Sequence, residues 1–153
     1  GEDQDNTDKP GSYKLTRTEE DLIRKVSSQF SRTAVILNVG NIIDMKWVRE
    51  FDPAAVLYAL QGGQEGGNGV CDVLMGRVNP CGKLTDTIAE DISDYPSTSN
   101  FGDLQKNYYK EDIYVGYRYF ETFAKDKGLD LDCRILLFPC KRLQKKRTSI
   151  RSV

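Results

Sequence analysis

The pattern of apolar and polar positions predicts an amphipathic helix near the start of the chain. Four apolar residues fall on one helical face by their spacing: Leu22, Ile23, Val26 and Phe30. Thr16 lies before them and Glu19 follows it by three residues, which is the spacing of a capping box. We therefore predict a polar loop over residues 1–15 and a helix from Thr16 to about Ser31.

Two apolar runs without helical spacing predict β-strands. They are "TAVILNVG", from Thr33 to Gly40, and "AAVLYAL", from Ala54 to Leu60. Consecutive apolar positions are typical of strands that are covered on both faces in a parallel sheet. Between the strands we predict a short helix from about Met45 to Phe51, because Pro53 marks its end.

The glycine-rich stretch "QGGQEGGNG", from Gln61 to Gly69, follows the second strand and leads into a third helix. Four residues form the apolar face of that helix: Val70, Cys71, Val73 and Leu74. Gly76 and Pro80 close it. Because helices and strands alternate with short connections, the sequence predicts an α/β fold, a mostly parallel sheet sandwiched between helices.

The chain beyond Thr85 is irregular and rich in aromatic residues. Ile113 to Tyr119 is predicted as one more strand, and the polar stretch from Pro96 to Lys110 as a long surface loop. The predicted sheet is therefore incomplete and is followed by an irregular, aromatic-rich C-terminal part.

Length and composition exclude several classes of protein. A chain of 153 residues suits one domain, and no apolar run approaches the roughly 18 to 20 residues of a membrane span. The acidic N-terminus is not a signal peptide and does not begin with Met, so we expect a fragment or a processed piece. We predict no membrane partner. The compartment stays undetermined, with the cytoplasm slightly favoured over secretion.

Charge is unevenly distributed along the chain. Six of the 22 basic residues lie between Pro139 and Val153, where there is no acidic residue, and the other 138 residues carry a net charge of −7. A basic run can contact nucleic acid or an anionic surface, but like-charge blocks more often form disordered, solvated ends. We therefore predict no nucleic-acid partner.

The cysteine and histidine content restricts the chemistry. The four cysteines are Cys71, Cys81, Cys133 and Cys140, none of them in a C-x-x-C pair, and the chain has no histidine. We therefore predict no metal site, no other cofactor and no disulfide framework. Without histidine, acid/base chemistry near neutral pH requires a carboxylate, Lys, Cys or Tyr.

Three stretches are candidates for function. The glycine-rich turn lacks the Lys and Ser/Thr of a P-loop and the spacing of a dinucleotide fingerprint, so we favour a close strand-to-helix turn over phosphate binding. Glu2, Asp3 and Asp5 form an acidic cluster in which one carboxyl group could have a raised pKa, although a solvated acidic end is the commoner explanation. Six aromatic residues could line a sugar-binding surface or simply pack: Tyr108, Tyr109, Tyr114, Tyr117, Tyr119 and Phe120.

Two long runs resemble a known family. "NVGNIIDMKWV", followed by "DPAAVLYALQGGQEGGNGVCDVLMGRVNPCGKLTDTIAEDISDYPS", closely resembles the C-terminal α/β sandwich domain of family 3 glycoside hydrolases of the β-glucosidase type. "KEDIYVGYRYFETF" matches another signature of that family. The resemblance covers about residues 1–127, which we assign to a partial α/β sandwich domain.

The resemblance implies an activity and a site. Members of the family are retaining, exo-acting enzymes that remove β-linked sugars. Their aspartate nucleophile lies on an N-terminal barrel domain, and the α/β sandwich domain supplies the acid/base glutamate within a G-E-(G/D)-x-D pattern. Since this sequence begins "GEDQD", the matching position is Glu2. The implied partners are a β-linked glucoside or oligosaccharide substrate and the barrel domain of the parent chain; the oligomeric state is left open.

The C-terminal end departs from the family. After "ETFAKDK" the family continues with a segment like "YPFGYGLSYT", whereas here a basic, cysteine-containing sequence follows. We expect residues 128–153 to be a divergent, disordered tail that arose from a frame change or a truncation. Without the barrel nucleophile, the isolated chain is expected to be inactive. Two alternatives stay open: a non-catalytic carbohydrate-binding or assembly fragment, and a nucleotide-binding α/β protein.

Overall fold

The structure is a computed structural model that describes residues 7–80, 82, 84, 86–106 and 108–124. In chain order its helices and strands are α1 Arg17–Gln29, β1 Ala34–Leu37, α2 Lys46–Phe51, β2 Ala55–Tyr58, α3 Gly66–Leu74 and α4 Tyr117–Phe123. Two short 3-10 helices, Ile92–Asp94 and Pro96–Ser99, precede α4. The tail predicted from residue 128, and the domain boundary before it, lie outside the described residues.

The capping box predicted for α1 is confirmed. The Thr16 N–H donates to Glu19 Oε2 at 2.7 Å, and the Glu19 N–H donates back to Thr16 Oγ1 at 3.3 Å. The predicted apolar face of α1 is only partly buried. Ile23 packs against the core, whereas Leu22 and Phe30 are exposed.

The two predicted strands are confirmed and pair in parallel, with Val35 beside Val56 and Leu37 beside Tyr58. Side chains alternate between the faces of a strand, so these four residues share one face. They belong to the main core cluster, which also takes Trp47 and Val48 from α2. Helices α1 and α2 therefore cover this face of the sheet.

Helix α3 lies against the opposite face. A small apolar cavity lies between α3 and the strands and is lined by seven residues: Ala34, Ala55, Val56, Leu57, Val73, Leu74 and Pro80. Helices thus lie on both sides of the sheet, which confirms the predicted α/β architecture. Strand β2 is covered on both faces, as predicted. Strand β1 is not, since its Ile36 side chain is 42% exposed.

The C-terminal part has a helix where a strand was predicted and a loop where a loop was predicted. The strand predicted from Ile113 to Tyr119 is wrong: the chain turns at Asp112 and Gly116, both with positive φ, and continues as α4. Phe120 and Ala124, four residues apart, are buried together, a helical spacing that the aromatic run concealed. The stretch from Pro96 to Lys110 is mainly exposed loop, as predicted, apart from its short 3-10 helix.

Candidate functional site

The carboxyl ends of β1 and β2 lie side by side, because the strands are parallel and Leu37 pairs with Tyr58. Two loops leave this edge, residues 38–45 after β1 and residues 59–65 after β2. In α/β folds, ligands bind in the crevice outside the carboxyl ends of parallel strands. We refer to these two loops and the strand ends as the carboxyl edge, and take it as the candidate site.

Close contacts hold the two loops of the carboxyl edge together. A Cβ atom at Gly40 would lie 3.0 Å from the Gln61 side chain, so the backbone of one loop touches the other. The Tyr58 hydroxyl donates a hydrogen bond to the Asn41 carbonyl. Burial, with the nearby Asp86 and Tyr95, raises the pKa of Tyr58 to about 12, so this hydroxyl stays a neutral donor.

The glycine-rich turn has the close geometry that the sequence predicted. A Cβ atom at Gly62 would lie only 2.8 Å from the Gly66 Cα, so a side chain there would force the turn open. The Gly66 N–H, at the start of α3, donates to the Gly63 carbonyl at 2.9 Å. Glu65 accepts a hydrogen bond from the Asn68 side chain. Close packing therefore accounts for Gly62, whereas a Cβ atom at Gly63, Gly66, Gly67 or Gly69 would meet no atom within 4 Å.

Residues 7–14, here called the N-terminal clip, form a compact turn. The Tyr13 N–H donates to the Thr7 carbonyl at 3.2 Å, and the Gly11 N–H donates to the Lys14 carbonyl at 2.8 Å. Gly11 has a φ of +77°, a conformation that favours glycine. The Lys14 ammonium also lies 2.7 Å from Asp8 Oδ1. The clip is therefore closed on itself before α1 begins.

The N-terminal clip is attached to the carboxyl edge through Tyr13. Tyr13 is only 2% exposed. Its backbone carbonyl accepts a hydrogen bond from the N–H of Asp44, in the loop after β1, at 2.8 Å. Glu2, the acid/base residue implied by the resemblance, lies outside the described residues, as do Asp3 and Asp5. The N-terminal clip that follows them is hydrogen-bonded to the carboxyl edge through Tyr13 and Asp44.

The Tyr13 hydroxyl is buried among acidic neighbours. Burial is the main cause that raises its pKa, and Tyr95, Asp44 and Asp91 add to it. Among the described residues it has no hydrogen-bond partner. The hydroxyl is therefore neutral near pH 7, and the ring and backbone of Tyr13, rather than its hydroxyl, make the contacts that hold the N-terminal clip.

Two ion pairs connect α2 to the aromatic-rich part. Lys46 Nζ lies 2.9 Å from Asp91 Oδ2, and Arg49 Nη1 lies 2.9 Å from Glu90 Oε1. The Ser93 N–H, and then the Lys46 ammonium, hold the pKa of Asp91 well below its ordinary value. The hydrogen bond to Asp91 in turn raises the pKa of Lys46. Both pairs link residues more than 40 positions apart.

The aromatic stretch divides into packed and exposed side chains. Tyr119 and Phe120 pack beside Tyr95, with the Tyr95 and Phe120 ring centroids 5.6 Å apart and nearly perpendicular. Tyr114 makes a similar contact with Phe123 at 4.8 Å. Three tyrosines are instead largely exposed: Tyr108 at 56%, Tyr109 at 88% and Tyr117 at 63%. These three rings could be presented to a sugar, as could Phe101 and Phe123, which are 54% and 62% exposed.

The part of the chain that the structure describes has neither a metal-binding cluster nor a membrane-spanning helix. No group of three or more His, Cys, Asp or Glu side chains there is arranged to hold a metal ion. No described helix has the length and apolar character to cross a membrane. Cys71 is an exposed free thiol, and the other three cysteines lie outside the described residues.

Comparison with known proteins agrees with this α/β architecture. The family model for the glycosyl hydrolase family 3 C-terminal domain matches residues 1–117. A beta-glucosidase of Ruminococcus albus is 58% identical over 127 residues, 83% of this chain and 13% of that protein. Beta-glucosidase A of Butyrivibrio fibrisolvens is 47% identical over 122 residues, 76% of this chain and 15% of that protein. A crystal structure of a beta-glucosidase from Paenibacillus barengoltzii superposes with a TM-score of 0.78 at 53% identity, over 84% of this chain and 14% of the other.

These comparisons define a protein of the α/β class with helices on both faces of a parallel sheet. The chain belongs to glycosyl hydrolase family 3, in its C-terminal domain. It spans 13% and 15% of the length of the two curated relatives.

Sequence reasoning missed two features of the site. It predicted a polar loop over residues 1–15 and assigned no role to Tyr13, although this is a large side chain in a polar stretch. It also missed the pairing of Lys46 and Arg49 with Asp91 and Glu90. No local signal marks those pairs, because long-range partners depend on the folded arrangement and not on spacing along the chain.

Proposed function

We propose that this chain is the C-terminal-domain part of a retaining, exo-acting β-glucosidase-like glycoside hydrolase, and that Glu2 is its general acid/base. The observation that carries the proposal is the 58% identity over 127 residues with a protein named beta-glucosidase. The family match begins at residue 1 and so includes the "GEDQD" segment. The attachment of the following clip to the carboxyl edge supports a site at that edge.

The chemistry needs two carboxyl groups with different roles. In a retaining glycosidase they lie roughly 5 to 5.5 Å apart, one as nucleophile and the other as acid and then base. Glu2 would protonate the departing glycosidic oxygen and later remove a proton from the attacking water. Its pKa must be raised for the first step, by burial and by the charge of the nucleophile.

The nucleophile would come from the barrel domain of the parent chain, as the resemblance implies. The curated relatives are far longer than this chain, which leaves ample length for such a domain. We expect the isolated chain to have little or no hydrolase activity, because loss of a nucleophile removes most of the rate enhancement. Appreciable turnover of an aryl β-glucoside by the isolated chain would contradict this.

The substrate in this proposal is a β-linked glucoside or oligosaccharide, cleaved at an O-glycosidic bond. No step of the mechanism requires a cofactor or a metal ion. For the compartment, the cytoplasm remains a proposal, and secretion is the alternative. A glucoside panel assayed with the barrel-containing protein would determine which sugars and linkages are accepted.

The decisive experiment uses Glu2→Ala in a protein that contains both this chain and the barrel domain. We expect kcat/KM to fall strongly for substrates with poor leaving groups and little for 2,4-dinitrophenyl glucoside, which departs without an acid. Azide should restore part of kcat, because this anion can attack the glycosyl-enzyme in place of water, release the nucleophile carboxylate and form the glycosyl azide without a general base. Glu65→Ala is the matched control, because Glu65 is a glutamate at the same edge. Azide rescue of Glu65→Ala but not of Glu2→Ala would contradict the proposal.

A non-catalytic carbohydrate-binding role is the second candidate, and the exposed rings of Tyr108, Tyr109 and Tyr117 favour it. Aromatic faces offer large apolar area to a sugar ring. This role predicts glycan binding by the isolated chain that survives Glu2→Ala and is lost in Tyr109→Ala. Absence of any glycan binding by the isolated chain would eliminate it.

A further inference from the structure

We propose that an exposed apolar patch around α4 is the docking surface for the barrel domain of the parent chain, an inference that rests on the two-domain site of the proposed function. The patch comprises Tyr109, Ile113, Val115, Tyr117 and Phe123. Their exposed fractions range from 59% for Val115 to 88% for Tyr109. A soluble monomer rarely exposes so many large apolar side chains together, and patches of this kind mark interaction surfaces.

Local contacts hold the members of the apolar patch close together. The Tyr109 carbonyl accepts the Asp112 N–H at 3.1 Å, which folds the turn that carries the next members. Arg118 Nη1 then donates to the Ile113 carbonyl at 3.3 Å. The guanidinium of Arg118 also lies 5.9 Å from the centre of the Tyr117 ring. The patch is therefore built on one turn and on the helix that follows it.

The apolar patch is large enough to form the centre of an interface. Its three aromatic members are 88%, 63% and 62% exposed. At about 150–250 Å² for a whole aromatic side chain, they leave roughly 300–500 Å² accessible. This already matches the largest patch of a typical monomer, about 300–600 Å², before the two aliphatic members are added. A stable interface takes about 800 Å² from each partner, so the patch would supply its apolar centre.

The composition of the apolar patch fits a protein surface better than a sugar. A sugar ring stacks on a flat aromatic face, whereas Ile113 and Val115 are branched aliphatic side chains. Apolar side chains of a protein pack against aromatic and aliphatic groups alike. Charged residues also border the patch in sequence, namely Glu111, Asp112 and Arg118. A polar rim around an apolar centre is typical of protein–protein interfaces.

Packed aromatic rings connect the apolar patch to the carboxyl edge. Burial is the main cause of the raised pKa of Tyr58, at the end of β2, and Tyr95 is near enough to contribute. The Tyr95 ring centre lies 5.6 Å from that of Phe120. Tyr119 links Phe120 to Phe123, with ring centres 5.4 Å and 5.8 Å away. The patch is thus joined to the candidate site through a continuous row of rings.

The length of the relatives and the chemistry of the site favour the barrel domain as the occupant. This chain spans 13% and 15% of the two curated relatives, so most of a protein of that length lies beyond it. The two carboxyl groups of a retaining glycosidase lie roughly 5 to 5.5 Å apart. A barrel that supplies one of them must therefore approach the carboxyl edge closely. The apolar patch, joined to that edge, offers the area that such an approach can bury.

Hydroxyl-radical labelling of the barrel-containing protein tests whether the apolar patch is covered. We expect Tyr109 and Tyr117 to react within about twofold of the slow rate of Tyr58, because the centre of an interface is packed like a protein interior. Tyr58 is the internal standard, since it is only 7% exposed in this chain. Reaction of either tyrosine about fivefold or more faster than Tyr58 would overturn the proposal. Protection that is lost on dilution would overturn it too, because it would assign the patch to a second copy.

A charge placed in the apolar patch should release the barrel domain. Val115→Asp would bury an unpaired carboxylate in the interface, so in the barrel-containing protein the labelling rate of Tyr117 should rise about fivefold or more. Val78→Asp is the matched control, because Val78 is a 53% exposed valine outside the patch. We expect the Tyr117 rate to stay unchanged in that variant. Equal rates in the two variants would refute the docking role. If Val115→Asp does not fold, the labelling of the unsubstituted protein decides.

Chemical cross-linking identifies the occupant of the apolar patch. Lys106 and Lys110 flank Tyr109 in the chain, and a lysine-reactive cross-linker should join them to peptides of the barrel domain. Cross-links that reach only residues 125–153, or only a second copy, would overturn the proposal.

Labelling and cross-linking require no catalysis, so the kinetics of Glu2→Ala test the proposed function separately. If Glu2→Ala leaves all rates unchanged while the barrel protects the patch, the role of Glu2 fails and the docking surface stands. If Glu2→Ala shows the expected dependence on the leaving group while Tyr109 and Tyr117 stay reactive, only the docking surface fails.

Discussion

The α/β unit, residues 15–80, and the aromatic-rich part, residues 86–124, differ in how many of their apolar side chains are buried in a core. The α/β unit supplies seven of the eight buried residues of the main core cluster. In the described residues of the aromatic-rich part, the cluster has Ala89, Phe120 and Ala124 as its buried members, with Tyr95 and Tyr119 partly buried against them. Exposed side chains there include Phe101, Leu104, Tyr109, Ile113 and Val115. One region is thus held by a shared core and the other by a few local contacts.

Among the described residues, the contacts between the aromatic-rich part and the α/β unit include one buried side chain and two ion pairs. Ile88 enters the main core, and the ion pairs of Lys46 with Asp91 and of Arg49 with Glu90 lie close by. The Tyr95 hydroxyl holds the nearby stretch Thr87 to Ala89 in place, because it donates to the Thr87 carbonyl and accepts the Ala89 N–H. The difference between the regions predicts that each can lose stability without an equal loss in the other.

Trp47→Ala should have the largest effect on stability. Trp47 is 5% exposed in the main core, and truncation of a buried aromatic side chain leaves a cavity that costs about 3–5 kcal/mol. Because the two regions share this core through Ile88, we expect both to lose protection. Urea denaturation followed by far-UV circular dichroism measures the change. A loss below about 1 kcal/mol would contradict the role given to the main core around Trp47.

Phe120→Ala should have a smaller and more local effect. Phe120 belongs to the small cluster with Tyr95 and Tyr119, which can relax more readily around a cavity, so we expect a loss at the low end of the range for buried aromatic truncations, about 3 kcal/mol. Amide protection should fall in α4 and persist in β1 and β2. Trp47, the only tryptophan of the chain, reports the α/β unit by fluorescence. A matching shift of its unfolding midpoint would show that the regions unfold as one.

The same contrast explains how much could be predicted from sequence. In the α/β unit the period of apolar residues, the capping box at Thr16 and the stop at Pro53 all act locally, and those elements were predicted correctly. In the aromatic-rich part, the run from Ile113 to Tyr119 has the composition of a strand. Positive φ angles at Asp112 and Gly116 break it, and local turn hydrogen bonds, such as that from the Asp112 N–H to the Tyr109 carbonyl, replace strand pairing there, which composition alone does not reveal.

The candidate site shows the same limit. The close turn at Gly62 could be predicted, because failed motif spacing left packing as the explanation. The attachment of Tyr13 to Asp44 could not, since 31 residues separate the partners and neither has a distinctive pattern around it. Glu2 was assigned by resemblance alone, and its role stays a prediction.

Thr16→Ala tests the local part of the comparison. The variant removes the side-chain acceptor of the Glu19 N–H and should destabilise α1 by about 1 kcal/mol. Thr18→Ala is the matched control, because Thr18 is exposed in the first turn and does not cap the helix. We expect it to stay within about 0.5 kcal/mol of the parent. Equal effects of the two variants, measured by urea denaturation, would mean that the capping box adds no stability.

Asp91→Asn should have the smallest effect and tests the link between the regions. The side chains of Lys46 and Asp91 are 45% and 50% exposed, so solvent screening limits the pair to about 0.5 kcal/mol. The pKa of Asp91 is lower in the folded state than in the unfolded state, so its contribution is present above the ordinary carboxyl pKa of about 4 and is lost as pH falls towards the folded pKa. The parent should therefore exceed Asp91→Asn in stability at pH 7 and lose that advantage progressively below about pH 4. Molar salt at pH 7 should shrink the difference as well.

Lys46→Gln, which removes the other partner, should give a similar loss at pH 7. A difference that is independent of both pH and salt would assign the effect to the hydrogen bonds that Asp91 accepts from Ser93 and not to the ion pair.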